Sequence, residues 1–459
     1  MMKNTHAAAL VLGLTLLSAA ARAGAPDVRP SIPKRNSEAI IITMNSAIVT
    51  ALNENLTVLT AQEEVERAKG QSRTARAAMN PYLSLQGQGN AYDMATRPDN
   101  EVLAKAQVSQ TLYSGGKNSA AAAQGRLGIK KAEHSLADTR ESVAATVWNA
   151  FCEVLYREAV LRTTRNALDY YINAEKELEK RVEFGLSTNL DLTRIRQQKE
   201  NARAEHISAG NNLEAASIEL CRLLRLPPDI KIALSGELDD GLPTLEATRQ
   251  GLQPGFLERV LERRGDYQAL KNAVDVQKKQ IVIAKSGMKP TVSLSGGYRF
   301  GYSANGTAAG TSKDEWSASL TLDVPLYDGG AASGSVKSAR AALAQAENAL
   351  LAKEESIKAE LADSWLSLQN ALEALSAGQV NLKLAQDSLR YAESGYKEGV
   401  NTQLDVLQAR SDLTAAAQKL SGYQRDSRVA QARMWQVQGL MLERALASSD
   451  PVKSNTKKK

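Results

Sequence analysis

The feature that most limits what this chain can fold into is that it is written twice. Tyr113-Ser114-Gly115-Gly116 returns as Tyr327-Asp328-Gly329-Gly330, 214 residues later. Gly185-Leu186-Ser187-Thr188-Asn189-Leu190-Asp191 returns as Gly399-Val400-Asn401-Thr402-Gln403-Leu404-Asp405 at the same offset of 214, which Arg196 and Arg410 also keep. Upstream, Ala75, Met79, Pro81, Ser84 and Leu85 match Ala284, Met288, Pro290, Ser293 and Leu294 at an offset of 209. A small insertion therefore lies between the proline and the Tyr-x-Gly-Gly motif of the second half. Each half has to be assigned the same elements.

Those elements follow from periodicity. Trp316, Ala318, Leu320, Leu322, Val324 and Leu326 alternate with Ser317, Ser319, Thr321 and Asp323, which predicts a strand with one apolar and one polar face. Val292, Leu294, Gly296, Tyr298, Phe300 and Tyr302 repeat the pattern; in the first half Leu83 and Leu85 begin one strand and Ala104, Ala106, Val108 and Leu112 lie along another. The polar stretches 93–101 and 303–314 read as connections. Proline-free runs over about 119–184 and 333–398 place Val143, Val147, Ala150 and Val154, and Leu361, Trp365, Leu368, Leu372 and Leu375, three and four apart. Such runs predict helices of roughly 100 Å, too long for a globular core. The Gly-x-x-Thr-x-Leu-Asp stretches then turn the chain into returning helices, with Thr188 and Thr402 placed to cap them, that reach about Leu224 and Leu446. The first repeat thus covers 37–228, with a strand pair near 81–112 and its turn at 185–191. The second covers 255–446, with a strand pair near 291–326 and its turn at 399–405, and 229–254 links the two.

The ends have a different character. Lys3, the apolar run from Ala7 to Leu17 and Ala21-Arg22-Ala23 make 1–23 a signal peptide, followed by a linker over 24–36. The last residues, 447–459, form a basic tail expected to be disordered. Cys152 and Cys221 lie 33 and 36 residues from Gly185, nearly level on an antiparallel helix pair. Export allows them a disulfide; two small buried thiols are the alternative.

Several chemistries are excluded. Lys+Arg 57 against Asp+Glu 51 leaves +6, too slight an excess for a nucleic-acid partner. Only 3 His occur, without metal-ligand spacing, and no nucleophile or phosphate-loop motif is complete, so neither an enzyme nor a cofactor nor a metal is expected. Four amphipathic strands cannot close alone, since the smallest bacterial barrels have about eight, and an open edge in lipid leaves backbone groups unpaired. The chain must therefore assemble: two copies would supply eight strands and three would supply twelve. A periplasmic coiled-coil structural or adaptor protein without a pore is the competing reading. It shares the long helices but has no use for apolar strand stripes.

The duplicated order of helix, strand pair, long helix, Gly-x-x-Thr-x-Leu-Asp turn and returning helix resembles the TolC family of outer-membrane efflux proteins, over about 37–446. The resemblance implies a mainly α fold with membrane β-strands. In it, a homotrimer joins a twelve-stranded β-barrel, set in outer-membrane lipids, to a long periplasmic α-helical barrel. It also implies the exit duct of a drug-efflux or type I secretion system, with a periplasmic adaptor (membrane fusion) protein and an inner-membrane transporter as partners. The helical tips would form a gate. Asp405 would supply an acidic ring, Asp191 and Tyr396 match two latch positions, and Gln408 and Asn401 stand where the family's best-studied members carry a second aspartate and an arginine. Gly185, Leu186, Gly399 and Val400 match the tips where the family meets its adaptor.

Overall fold

The computed structural model describes residues 40–94, 97–238, 255–305 and 311–447. The signal segment, the 24–36 linker, most of the basic tail and much of the 229–254 link lie outside them. The first half runs β1 (Ile40–Thr43), α1 (Met44–Glu54), α2 (Leu56–Ala77), β2 (Tyr82–Met94), β3 (Arg97–Ser114), α3 (Lys117–Glu183), α4 (Asn189–Leu223) and β4 (Ile232–Ser235). The second runs α5 (Phe256–Arg263), α6 (Gly265–Lys285), β5 (Thr291–Asn305), β6 (Thr311–Asp323), α7 (Ala331–Lys397), α8 (Gln403–Val437) and α9 (Met441–Ala447). α3 and α7 have 67 residues each, and α4 and α8 have 35 each. Each member of a pair starts and ends 214 residues from its counterpart.

The four long strands form one antiparallel sheet in the order β2-β3-β5-β6. Register decides which side chains share a face, because a slip of one residue would move them all to the other. Here Leu85 pairs with Ala106, Ala106 with Tyr298 and Tyr298 with Trp316; Leu83, Val108, Gly296 and Ala318 form the next row. Every apolar stripe therefore lies on one face. That face is bare: Leu85 is 80% exposed, Trp316 77% and Leu320 68%. On the other face Arg299 pairs with Glu315 at 2.7 Å and the Ser295 and Ser319 hydroxyls meet at 2.7 Å.

The strands differ from expectation at both ends. Most of 93–101 and 303–314 is ladder rather than connection: Met94 pairs with Arg97 and Ser303 with Thr311. Backbone pairing needs no apolar side chain, so composition hid these extensions. Strands of 13 to 18 residues exceed the roughly 9–11 that cross a bilayer. At the other end β6 stops at Asp323, short of Leu326, because Pro325 has no N–H to give the ladder. The matching position in the first half, Thr111, holds a β-bulge instead.

The helix that opens each repeat ahead of its strand pair is interrupted, at Asn55 in the first half and at Arg264 in the second. These positions are 209 residues apart, the upstream offset of the repeat, and share the same extended backbone, with φ −67 at both and ψ 128 and 116. Each side chain also does the same work. Asn55 Nδ2 donates to the carbonyl of Leu223, the last residue of α4, at 3.0 Å. Arg264 donates to the carbonyl of Val437, the last residue of α8, at 3.4 Å. A helix end leaves such carbonyls without partners, so each kink caps its half's return helix. Beyond those ends the chain turns through a left-handed residue, Arg225 (φ 58) or Gly439 (φ 67), again 214 apart. The second return helix therefore breaks at Gly439, and α9 is separate, where one helix to Leu446 was expected.

The main core sits at this level. Trp148, Phe151 and Val154 of α3, Ile48 of α1, Leu220 of α4 and Met441 of α9 are all nearly inaccessible and in one cluster. β1 and β4 pair in parallel at its side, an element the sequence did not disclose. Nearby, Arg264 binds Asp266 and Glu360, both at 2.6 Å, and Lys353 reaches Asp266 at 2.7 Å. Burial alone would raise the Asp266 carboxyl, but the Arg264 and Lys353 donors outweigh it and hold the group at about 2. Burial, with the Asp266 charge, pushes neighbouring Asp138 the other way. A folded value below the ordinary 3.8 gives stability that is complete above 3.8 and is lost as pH falls toward about 2. Thermal midpoints should therefore drop through that window, and Asp266→Asn should shrink the drop.

Candidate functional site

The helices of the lower half lie in the order α4, α3, α8, α7, each touching the next. Two turns stand at their tips. Both are built by a glycine in the left-handed region, Gly185 (φ 72) and Gly399 (φ 79). Leu186 N–H donates to the Arg181 carbonyl at 2.7 Å and Val400 N–H to the Gly395 carbonyl at 2.8 Å, closing both long helices in the same way. The side chains this leaves outermost are apolar: Leu186 is 76% exposed and Val400 78%. Phe184 and Leu404, which the sequence reading did not single out, join them in the open.

Thr188 and Thr402 cap the return helices as expected. The Thr188 hydroxyl donates to Asp191 at 2.6 Å while Asp191 N–H donates back to it at 3.1 Å. Asp405 receives the Thr402 hydroxyl at 2.7 Å and the Thr402 N–H at 2.8 Å. These bonds hold the exposed Asp405 carboxyl below its ordinary range, so it is ionised wherever the protein works. Both aspartates are thus fixed at the first turn of a helix, where the macrodipole also favours them. Gln408, one turn on, is turned to Asp412 at 2.9 Å.

Among the described residues no hydrogen bond joins Tyr396 to Asp191. Tyr396 instead packs on Leu389, Ala392 and Val406, with the Arg181 guanidinium 5.5 Å from its ring centre. Asn401 is folded back on the end of α7, its Nδ2 at 3.4 Å from the Ala392 carbonyl, and lies where a Cβ on Gly395 would stand. The disulfide weighed for Cys152 and Cys221 is absent: both thiols are free and buried. Burial pushes the Cys152 thiol up to about 11 against the pull of Arg428. No group of His, Cys, Asp or Glu among the described residues could hold a metal ion, and no described helix is long and apolar enough to cross a membrane.

Comparison with known proteins identifies the family to which this arrangement belongs. The model of the outer membrane efflux protein family matches twice, over residues 47–224 and 256–440. The chain belongs to that family. Among relatives of this efflux protein, the outer membrane protein TolC of Vibrio cholerae is 26% identical over 81% of this chain and 84% of its own. The cobalt-zinc-cadmium resistance protein CzcC of Cupriavidus metallidurans is 24% identical over 82% and 84%. Of solved structures, the outer membrane protein VceC of Vibrio cholerae superposes with a TM-score of 0.72 at 22% identity, covering 86% of this chain and 96% of its own. CusC does so with 0.76 at 21%, covering 86% and 91%. These likenesses show the fold. The efflux protein is an outer-membrane exit duct with a helical portion in the periplasm. The competing reading, a coiled-coil protein without a pore, is set aside with it.

Proposed function

We propose that three copies close this sheet into a twelve-stranded barrel, continuous with a helical tube whose tips form the periplasmic entrance. The observation that carries the reading is the pair of free edges, β2 and β6, on a sheet whose apolar face is exposed. Lipid tolerates neither unpaired backbone nor an open edge, and joining β6 of one copy to β2 of the next removes both. The helices agree. α4 and α7 are the outer members of their row, and each keeps exposed apolar side chains, Ile207 and Ile218 on one, Val380 and Leu384 on the other. The two halves of each chain are read as repeats of one unit, 37–228 and 255–446.

At the entrance, three Asp405 carboxylates would converge on the axis as an acidic ring that attracts cations and admits their block, with Asp191 on the neighbouring turn. The apolar tips at Leu186 and Val400 suit a periplasmic adaptor, which would join the duct to an inner-membrane transporter that supplies the energy. The role is passive conduction, with no chemical step. In planar bilayers, multivalent cations added on the tip side are expected to block the wild-type channel, and Asp405→Ala to weaken that block about tenfold or more. Unchanged block would remove Asp405 from the gate.

A further inference from the structure

We propose that an apolar groove on the second half is a socket for Ile218 of a neighbouring copy. Large and small residues exchanged between the halves then make the seam between copies sterically different from the seam within one. The proposal rests on the reading that three copies join side by side. Phe256 and Leu257 of α5, Leu361, Ala362 and Trp365 of α7 and Met434 of α8 line the groove. Each has a counterpart in the first half at the repeat offset, 209 for α5 and 214 for the long helices. In the same order these are Ala47, Ile48, Val147, Trp148, Phe151 and Leu220, and all six are buried in the main core. The groove is therefore that core written a second time and left open.

In the first half α8 helps to close this core. It lies against α3, and its Ala432, 1% exposed, belongs to the cluster. The residue 214 positions earlier is Ile218 of α4, which is 43% exposed. The contrast recurs along both faces: Cys152 and Ser421 are buried, while their counterparts Leu366 and Ile207 are exposed. Within a chain α4 and α7 stand at opposite ends of the row, so Ile218 does not reach its own groove. Setting α4 of the next copy against α7, as α8 is set against α3, brings Ile218 to it and removes apolar surface from water on both sides. The sizes agree. Within the chain the large residue is Trp148 on α3, bonded to the Arg428 carbonyl one turn before the small Ala432. Between copies the small residue is Ala362 on α7 and the larger one is Ile218 on α4. Interiors pack to a nearly fixed density, so either combination fits, whereas a tryptophan facing the isoleucine overfills the seam.

Exchanging the pair tests the socket on the full-length protein, extracted from outer membranes in mild detergent and warmed in steps while native mass is recorded. Ala362→Trp fills the groove and Ile218→Ala leaves it empty; each should raise the dissociated fraction about tenfold at the wild-type midpoint. Both positions are exposed in the single chain, so the helical signal before warming should match wild type. The double variant recreates the in-chain combination of tryptophan with alanine and should return to within about twofold of wild type. Single variants as stable as wild type would overturn the socket. A double variant that dissociates as the two singles combined would also overturn it, because some other segment then covers the groove. A wild-type protein that is not trimeric would overturn the reading of three copies instead.

Discussion

Leu320→Arg is expected to remove the assembled protein from outer-membrane fractions, while Ser319→Arg, one residue away, is expected to leave it there. The two positions are adjacent in β6 but on opposite faces of the sheet. Leu320 pairs with Leu294 and is 68% exposed on the apolar face, which none of the described residues covers. If that face meets hydrocarbon, an arginine near mid-membrane costs about 2–4 kcal/mol per strand, and a trimer bears it three times. Ser319 bonds Ser295 on the polar face, which lines the channel in this account. An arginine there meets water between the Ser317 and Thr321 rows of the polar face and should cost little. The control separates lipid exposure from loss of strand pairing, since both variants keep the backbone ladder. Quantifying folded trimer in membrane fractions checks it.

Trp148→Ala should have the second large effect, on the helical body rather than the barrel. The indole is 1% exposed, donates to the Arg428 carbonyl at 3.2 Å, meets Trp435 edge-on at 5.3 Å and carries the Arg428 guanidinium 4.9 Å from its ring. It therefore joins α3 to α8 at the level where α1, α4 and α9 also converge. Truncating a buried tryptophan costs about 3–5 kcal/mol, because the cavity collapses only partly, and here it also removes the indole hydrogen bond to α8. Thermal melting of the helical signal should shift down by several degrees, and far less for the partly buried Trp435.

Much of this architecture was legible because it is local and repeated. The 67-residue helices are announced by Gly-Gly pairs, proline-free runs and the spacing of Val143, Val147 and Val154; the turns are announced by Thr188 and Thr402 with an aspartate three residues on. The alternation from Trp316 onward shows a two-faced strand without any knowledge of its partners. What escaped depends on contacts distant in sequence. The kink at Asn55 carries neither glycine nor proline and the one at Arg264 is followed by Gly265, yet both exist because each side chain caps a helix about 170 residues away. The strand ends near Met94 and Ser303 are extended by pairing, not by composition. At the tips, Asp191 and Asp405 could be found from the repeat, but the contact of Arg410 with the Tyr170 ring exists only because α3 lies beside α8.

The central claim is that one chain supplies a third of a closed barrel. The native mass of the full chain, extracted from outer membranes in mild detergent with the bound detergent subtracted, tests it most directly. Three copies of the 49.4 kDa chain, less any cleaved signal, is the predicted result. A monomer or a dimer would contradict it, leaving β2 and β6 as open edges or closing only eight strands.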